Sequence, residues 1–364
     1  MSTTCQKENA DGDAERHSVL DVAGRILFLL AAGVLCGYAL VAGVQTVWLC
    51  QWPAEWDTLR DISMAQSILD GRYPEDPILQ GETLWYNPLT GFLIALTGHI
   101  SGLPLHRASI IIGPFINLIA PAGAVALLAL LFGRAAALAG LCVLLFAKEP
   151  QTAFWVHACY SPWLLAPLYS LGLLFLTFFA YYRGFLRRSL GWFIVAGILL
   201  GITFMAHTAP AIVAGGTMSV FLLVESVIAW YERHRDTGEF LAATAKEATA
   251  SADLQWRRLS VYFLVLLATA FMVSLPYTWS ILWNYHFKVH NPFPSLFAVD
   301  YVSISHLPER LRAALNWRNI VALTGAVLLI RRFRERREAR FAICWSCVAA
   351  AFLCHHYLWQ ALLA

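Results

Sequence analysis

Residues 24–49 read GRILFLLAAGVLCGYALVAGVQTVWL, an almost unbroken apolar run, and the acidic sequence Glu55-Trp56-Asp57-Thr58-Leu59-Arg60-Asp61 follows shortly after it. A run of about 20 apolar residues is long enough to cross a bilayer as a helix. Because the acidic sequence begins only a few residues after this run, we expect it to lie at a membrane surface. This stretch therefore predicts a membrane-spanning helix that ends beside a cluster of carboxylates.

The composition extends this prediction to the whole chain. Of the 364 residues, 59% are hydrophobic and only 13% are charged, and several further apolar runs are long enough to span a bilayer. In lipid, a helix satisfies its own backbone groups. The sequence therefore predicts an all-α, multi-pass integral membrane protein. The formal net charge of +3 is small, and we expect no nucleic acid among its partners.

Nine transmembrane helices are expected, and the first covers residues 24–49. The other eight are placed at about 107–132, 135–147, 162–182, 189–206, 208–230, 259–283, 313–330 and 341–361. Most of the 26 lysines and arginines then fall in connections on one side, above all in 331–340. Basic residues concentrate on the cytoplasmic side, so the amino terminus is predicted to lie inside.

The chain is expected to form a single membrane domain over residues 24–364, preceded by a disordered cytoplasmic tail over 1–23. Residues 231–258 are predicted to form a cytoplasmic linker that is partly helical. Two long loops, 50–106 and 284–312, are predicted to be periplasmic.

The loop 50–106 carries seven acids against two arginines. Within it, residues 58–70 have the pattern of a short amphipathic helix, with Leu59, Ile62, Ala65, Ile68 and Leu69 on one face, and Gly71 is expected to end that helix. Residues 89–100 are apolar but too few to cross a bilayer. We expect both segments to be interfacial helices, the second one interfacial or re-entrant.

Asp57 and Glu55 are the strongest candidates for chemistry. Two carboxylates at the rim of a membrane, where water still has access, can act as a base or hold a divalent cation such as Mg²⁺ or Mn²⁺. The alternative is that Asp57 only caps the following helix with its side chain. The two roles are compatible with each other, and the sequence shows no certain cofactor.

The same region resembles a known family. The first span, the outward Glu-x-Asp pair and the sequences Asp70-Gly71-Arg72-Tyr73-Pro74, Gly81-Glu82 and Trp85-Tyr86-Asn87-Pro88-Leu89 resemble the C-type (GT-C) glycosyltransferases. The resemblance is to the branch with the bacterial lipid A aminoarabinose transferases and protein mannosyltransferases. It implies a cell-envelope enzyme of the inner membrane that moves a sugar from a polyprenyl-phosphate carrier to a periplasmic or lipid-linked acceptor.

The resemblance also implies roles for individual residues. Asp57 matches the acid that deprotonates the acceptor, Glu55 is its neighbour or an ion ligand, and Glu149 matches a second outward acid by position only. Glu149 could equally be an interfacial charge beside Lys148. The residues assigned to substrate binding are Arg60, Asp61, Arg72, Tyr86, His286, Lys288 and Arg310. Ordinary contacts with membrane lipids are the alternative for the cations of the second loop.

Two other functions are compatible with the sequence. A transporter or flippase of lipid-linked substrates would be expected to bury ionisable groups near the middle of the membrane, whereas these acids cluster at one face. A truncated, non-catalytic relative is the second alternative. The sugar, the acceptor and the oligomeric state cannot be read from the sequence.

Overall fold

Twelve α-helices make up most of the structure, a computed structural model that describes residues 2–54, 56–79, 81–146, 160–236, 242–284, 286 and 317–353. A π-helical turn, Ser280–Asn284, continues the tenth helix. The helices are α1 (Ser2–Val47), α2 (Trp56–Leu69), α3 (Leu89–Ser101), α4 (Leu105–Ile116), α5 (Ile119–Phe132), α6 (Arg134–Phe146), α7 (Ala166–Arg187), α8 (Leu190–Ala206), α9 (Thr208–Asp236), α10 (Ala242–Trp279), α11 (Trp317–Arg331) and α12 (Arg337–Leu353).

Four stretches of helix are long and apolar enough to cross a membrane: Asp21–Val47, Leu105–Phe132, Thr208–Glu232 and Trp256–Asn284. They coincide with four of the nine predicted spans, so the chain is a membrane protein whose described elements are helices. Other apolar helices, such as α6 and α8, have only 13 and 17 residues. The count of nine spans and the single-domain organisation therefore remain predictions.

The amino-terminal segment differs from its prediction. Residues 1–23 were expected to be disordered, whereas α1 begins at Ser2 and runs without a break into the first apolar run. The polar segment contains no proline and, before Gly24, a single glycine, Gly12, so the helix can extend through it. At its junction with the apolar run, Asp21 forms an ion pair with Arg25 one turn later.

The chain divides into two compact units, the first of which contains residues 1–66 and 90–176. In it, α1 packs against α4, α5 and α6, and α5 packs against α6. Gly172 of α7 lies so close to α5 that a Cβ atom there would come within 2.5 Å of the Ala120 backbone nitrogen. Small residues allow helices in membranes to approach closely, and this pair of helices follows that rule.

The predicted span 107–132 is interrupted in the structure at Asn117 and Leu118, between α4 and α5. Pro121 has no backbone N–H to donate to the carbonyl of Asn117, which explains the break. The Asn117 side chain is fully buried and donates through Nδ2 to the carbonyl of Ser161 at 2.7 Å and to that of Trp163. The irregular turn thus fixes the segment that leads into α7.

The second unit contains residues 67–89 and 177–364. Within its described residues, α8 packs against α9 and α10, and α12 packs against α9 and α11. Aromatic rings fill its centre: Phe341 of α12 makes edge-to-face contacts with Phe178 and Phe221, at centroid distances of 5.2 and 5.1 Å. Edge-to-face pairs add to the stability that burial provides. Within the predicted linker 231–258, α9 runs to Asp236 and α10 begins at Ala242, and the role of this segment as a cytoplasmic linker stays a prediction.

Candidate functional site

The helix that carries the candidate base forms as predicted. Residues 58–70 were expected to be helical, and α2 covers Trp56–Leu69. Gly71 adopts a positive φ of 71° and its amide donates to the carbonyl of Ile68, while the amide of Arg72 donates to the carbonyl of Ser67. These two bonds form a Schellman motif, which favours glycine at this position. The sequence therefore located the end of α2 correctly.

The orientation of α2 was less predictable. Its buried face is formed by Thr58, Asp61, Met64 and Ala65, whereas Leu59 and Leu69, expected on the packed apolar face, are 40% and 45% exposed. An exposed apolar face beside a buried polar one is compatible with a helix that lies on a membrane surface. The interfacial position itself stays a prediction.

Asp57 lies in the first turn of α2, where a carboxylate is favoured by the helix dipole. Its side chain is 75% exposed, and its Oδ1 accepts a hydrogen bond of 3.2 Å from Nη1 of Arg60. The carboxylate is thus bound to a guanidinium, and because α2 begins at Trp56, Asp57 stands inside the first turn and not at the N-cap position. It remains accessible to an incoming molecule.

Asp61, one turn further along, is buried, with only 5% of its side chain exposed. Its Oδ1 accepts bonds from Nε and Nη2 of Arg60, at 3.1 and 3.0 Å. Burial raises the pKa of Asp61 from 3.8 to about 6, against the opposing effect of the Arg60 guanidinium. Arg60 thus connects one buried and one exposed carboxylate, and Asp61 fixes the position of the guanidinium that reaches Asp57.

The remaining described candidates belong to the second unit. Arg72 forms an exposed ion pair with Asp70, at 2.8 Å between Nη2 and Oδ2. The ring of Tyr86 makes an edge-to-face contact with Trp85, at a centroid distance of 5.6 Å. His286 is exposed and has a positive φ of 48°. The structure therefore places Arg72 and His286 where solvent reaches them.

The sequence did not indicate what holds the end of the acidic loop. Asn87 is buried, and its Nδ2 donates to the carbonyl of Phe204 at 2.7 Å and to the hydroxyl of Thr208 at 3.2 Å. These two acceptors lie at the end of α8 and the start of α9, on either side of the break at His207. The sequence shows both the Asn-Pro pair and the polar interruption at 207–208. It does not show that the two segments are joined by hydrogen bonds.

Two further hydrogen bonds tie the same loop to α10 and the π-helical turn. The hydroxyl of Tyr277 donates to the carbonyl of Trp85 at 3.1 Å, and that of Ser280 donates to the carbonyl of Leu84 at 3.2 Å. Both donors are buried. Polar groups near the ends of apolar helices thus have a positioning role here, because they fix the backbone on either side of Tyr86.

One of the acidic side chains in this loop stabilises the conformation of the loop itself. Oδ1 of Asp76 accepts from the backbone amides of Ile78 and Leu79, at 2.8 and 3.0 Å, and so shapes a turn. Glu75 and Glu82 are exposed and form no side-chain ion pair within the described residues. They provide matched comparisons for Asp57.

Four predicted site residues, Glu55, Glu149, Lys288 and Arg310, lie outside the described residues. Their roles stay predictions. Among the residues that the structure describes, no three His, Cys, Asp or Glu side chains come together in a group that could hold a metal ion.

Comparison with known proteins gives one structural relationship. No protein family and no curated protein matches the sequence. The structure is similar to that of the oligosaccharyltransferase of Archaeoglobus fulgidus, crystallised in complex with zinc and sulfate, with a TM-score of 0.51 and 14% sequence identity. The match covers 88% of this chain and 46% of the other, so the chain spans about half the length of that enzyme. At this identity the similarity shows the fold alone, and that fold is the GT-C fold expected from the sequence.

Proposed function

We propose that this chain is a membrane glycosyltransferase that moves a sugar from a polyprenyl-phosphate carrier to a periplasmic or lipid-linked acceptor, with Asp57 as the base. The observation that supports this most directly is the arrangement at the start of α2. An exposed carboxylate is held by a guanidinium whose own position is fixed by the buried Asp61. The GT-C-like fold and the membrane-spanning helices are compatible with such an enzyme.

The proposed reaction needs a base on the acceptor side. As the acceptor hydroxyl or amine attacks the anomeric carbon, it loses a proton, and a carboxylate within hydrogen-bond reach accelerates that step. Asp57 meets the requirement of access, since three quarters of its side chain is exposed. Its ion pair with Arg60 keeps the carboxylate on the exposed side of α2.

The reaction also needs positive charge around the leaving phosphate. Fixed cations lower the energy of the charge that the carrier phosphate retains. Arg60 and Arg72 are the described arginines that we assign to this role, each at present paired with an aspartate. His286, Lys288 and Arg310 are proposed as further contacts, and Tyr86 is proposed to contact the sugar.

A divalent cation was predicted at Asp57 and Glu55, and the similar oligosaccharyltransferase was crystallised with zinc. Of this pair, Asp57 lies among the described residues, and its Oδ1 accepts a hydrogen bond from Arg60. A divalent cation held by Asp57 and Glu55 stays part of the proposal, and the proposed proton transfer does not depend on it.

The proposal is tested in membranes that contain the full chain. Radiolabelled polyprenyl-phosphate sugars are supplied singly, and the transfer of label to protein, lipid and polysaccharide fractions is compared with membranes that lack the chain. We expect label to leave the carrier for one of the sugars only when the chain is present. If no donor transfers its label, the proposal is overturned and the non-catalytic alternative is favoured. Movement of the intact labelled carrier across the bilayer would favour a flippase.

A further inference from the structure

A buried charge pair forms the base of a cavity at one end of α9 and α12. Glu225, 3% exposed, and Arg340, 6% exposed, are joined through both carboxylate oxygens, and Arg337 adds a contact of 3.3 Å between its Nε and Oε2 of Glu225. The remaining nitrogen of Arg340, Nη1, donates to the carbonyls of Phe333 and Arg334, at 3.2 and 3.1 Å. The turn between α11 and α12 is thereby fixed above α9.

The cavity has a volume of about 730 Å³. This lies within the usual range for sites that bind small molecules. Two of its lining residues indicate its depth: Glu232 comes two residues after the predicted span 208–230, and Trp256 comes three residues before the predicted span 259–283. The cavity therefore lies level with the ends of two predicted spans, where lipid headgroups are found. The concentration of arginines in 331–340 predicts that this is the cytoplasmic side.

Charges of both signs surround this cavity in equal number. Besides the pair at its base, it is lined by the arginines Arg334, Arg336 and Arg337 and by the acids Glu232, Glu335 and Glu338. In the part of the chain that the structure describes, no ion pair joins these three arginines to these three acids. Leu186, Ile228 and Trp256 supply apolar surface beside them.

We propose that this cavity binds the headgroup of a zwitterionic phospholipid with a primary amine, phosphatidylethanolamine, from the cytoplasmic leaflet. Arginine side chains at the cavity mouth bind the phosphate through charge-assisted hydrogen bonds. The carboxylates accept hydrogen bonds from the ammonium group, and the apolar surface contacts the start of the acyl chains. This inference is independent of the proposed glycosyltransferase activity.

The arrangement of charges discriminates between lipid classes. A purely anionic headgroup carries no positive group that could neutralise the three carboxylates around the cavity, so its binding is disfavoured. Phosphatidylcholine carries a quaternary ammonium without N–H donors and leaves those carboxylates without hydrogen bonds. We therefore expect the order phosphatidylethanolamine, then phosphatidylcholine or phosphatidylglycerol.

The test uses the full chain in detergent, titrated with dioleoyl phosphatidylethanolamine, phosphatidylcholine or phosphatidylglycerol, with bound lipid counted by native mass spectrometry. We expect the double substitution Arg334→Gln/Arg336→Gln to weaken the binding of phosphatidylethanolamine about tenfold. The double substitution Glu232→Gln/Glu335→Gln should remove the preference over the other two lipids. The matched control is Arg257→Gln/Arg258→Gln, which removes two exposed arginines next to Trp256 that do not line the cavity.

Three results would overturn the proposal. The first is an unchanged affinity in the Arg334→Gln/Arg336→Gln variant together with a normal melting temperature. The second is a preference of the wild-type chain for phosphatidylglycerol. The third is displacement of the lipid by glycerophosphoethanolamine or inorganic phosphate at equal concentration, which would identify a soluble phosphate compound as the ligand.

Discussion

Nη1 of Arg60 lies 3.2 Å from Oδ1 of Asp57, and the guanidinium that makes this contact is held from its other side by the buried Asp61. The three side chains occupy adjacent positions on one turn of α2. An exposed carboxylate with a fixed cationic partner is a suitable base beside a phosphate leaving group. The carboxylate can accept the acceptor's proton, and the guanidinium, within the same turn of helix, can stabilise the negative charge of the phosphate.

The stability of the protein should depend on pH through Asp61. The pKa of Asp61 is about 6 in the folded protein, whereas its ordinary value, expected in the unfolded chain, is 3.8. Because the folded value is the higher one, ionisation of Asp61 favours the unfolded chain, and stability falls as the pH rises from about 4 to about 6. Between pH 4 and pH 7 this loss amounts to about 2 kcal/mol.

Asp61→Asn removes that ionisation. We expect thermal unfolding in detergent to show a smaller decrease in stability between pH 4 and pH 7 in the variant than in the wild type. Asp76→Asn is a suitable control, because Asp76 lies in the same loop and its Oδ1 accepts from the backbone amides of Ile78 and Leu79. An identical pH dependence in the wild type and in Asp61→Asn would contradict the burial of an ionisable Asp61.

The Glu225–Arg340 pair should show strong coupling. Arg340→Leu leaves Glu225 as a buried charge whose remaining ion pair among the described residues is with Arg337, and it is expected to destabilise the protein by roughly 3–5 kcal/mol. In the double variant Glu225→Leu/Arg340→Leu, the loss should be smaller than the sum of the two single losses. A double-mutant cycle from chemical or thermal unfolding measures this, and additive effects would mean that the pair does not interact.

Asn87 should stabilise the acidic loop as a hydrogen-bond donor. Asn87→Ala removes the bonds to Phe204 and Thr208 and is expected to cost roughly 1–3 kcal/mol of stability. Asn87→Asp has nearly the same volume but cannot donate to the Phe204 carbonyl, so it should not restore stability at neutral pH. The exposed Asn284, whose amide makes one long bond of 3.4 Å to Ser280, serves as the control in an Asn284→Ala variant. Wild-type melting of Asn87→Asp would rule out the donor role.

Local sequence patterns predicted the elements of the fold well. Gly71 ended α2 as expected, and the short helix at residues 89–100 appears as α3, Leu89–Ser101. The break at Asn117 could not be predicted from hydropathy, because the apolar run around Pro121 is continuous. The helical start of α1 could not be predicted from composition, because a polar segment can be either helical or disordered.

The candidate site could be predicted only in part. The acids of α2 were found because they are close together in the sequence. The burial of Asp61 depends on which face of α2 packs inward, and the apolar pattern pointed to another face. The bonds of Asn87 and of Tyr277 join residues that are far apart in the chain, so no local pattern could reveal them.

The central claim is that Asp57 takes the proton from the acceptor. The most direct test measures how fast the Asp57→Asn variant transfers radiolabelled sugar from a polyprenyl-phosphate donor. We expect transfer about 10²–10⁴-fold slower than in the wild type, with unchanged thermal unfolding because Asp57 is exposed. Glu82→Gln, which alters another exposed acid of the same loop, should transfer at the wild-type rate. A wild-type rate in the Asp57→Asn variant would contradict the account.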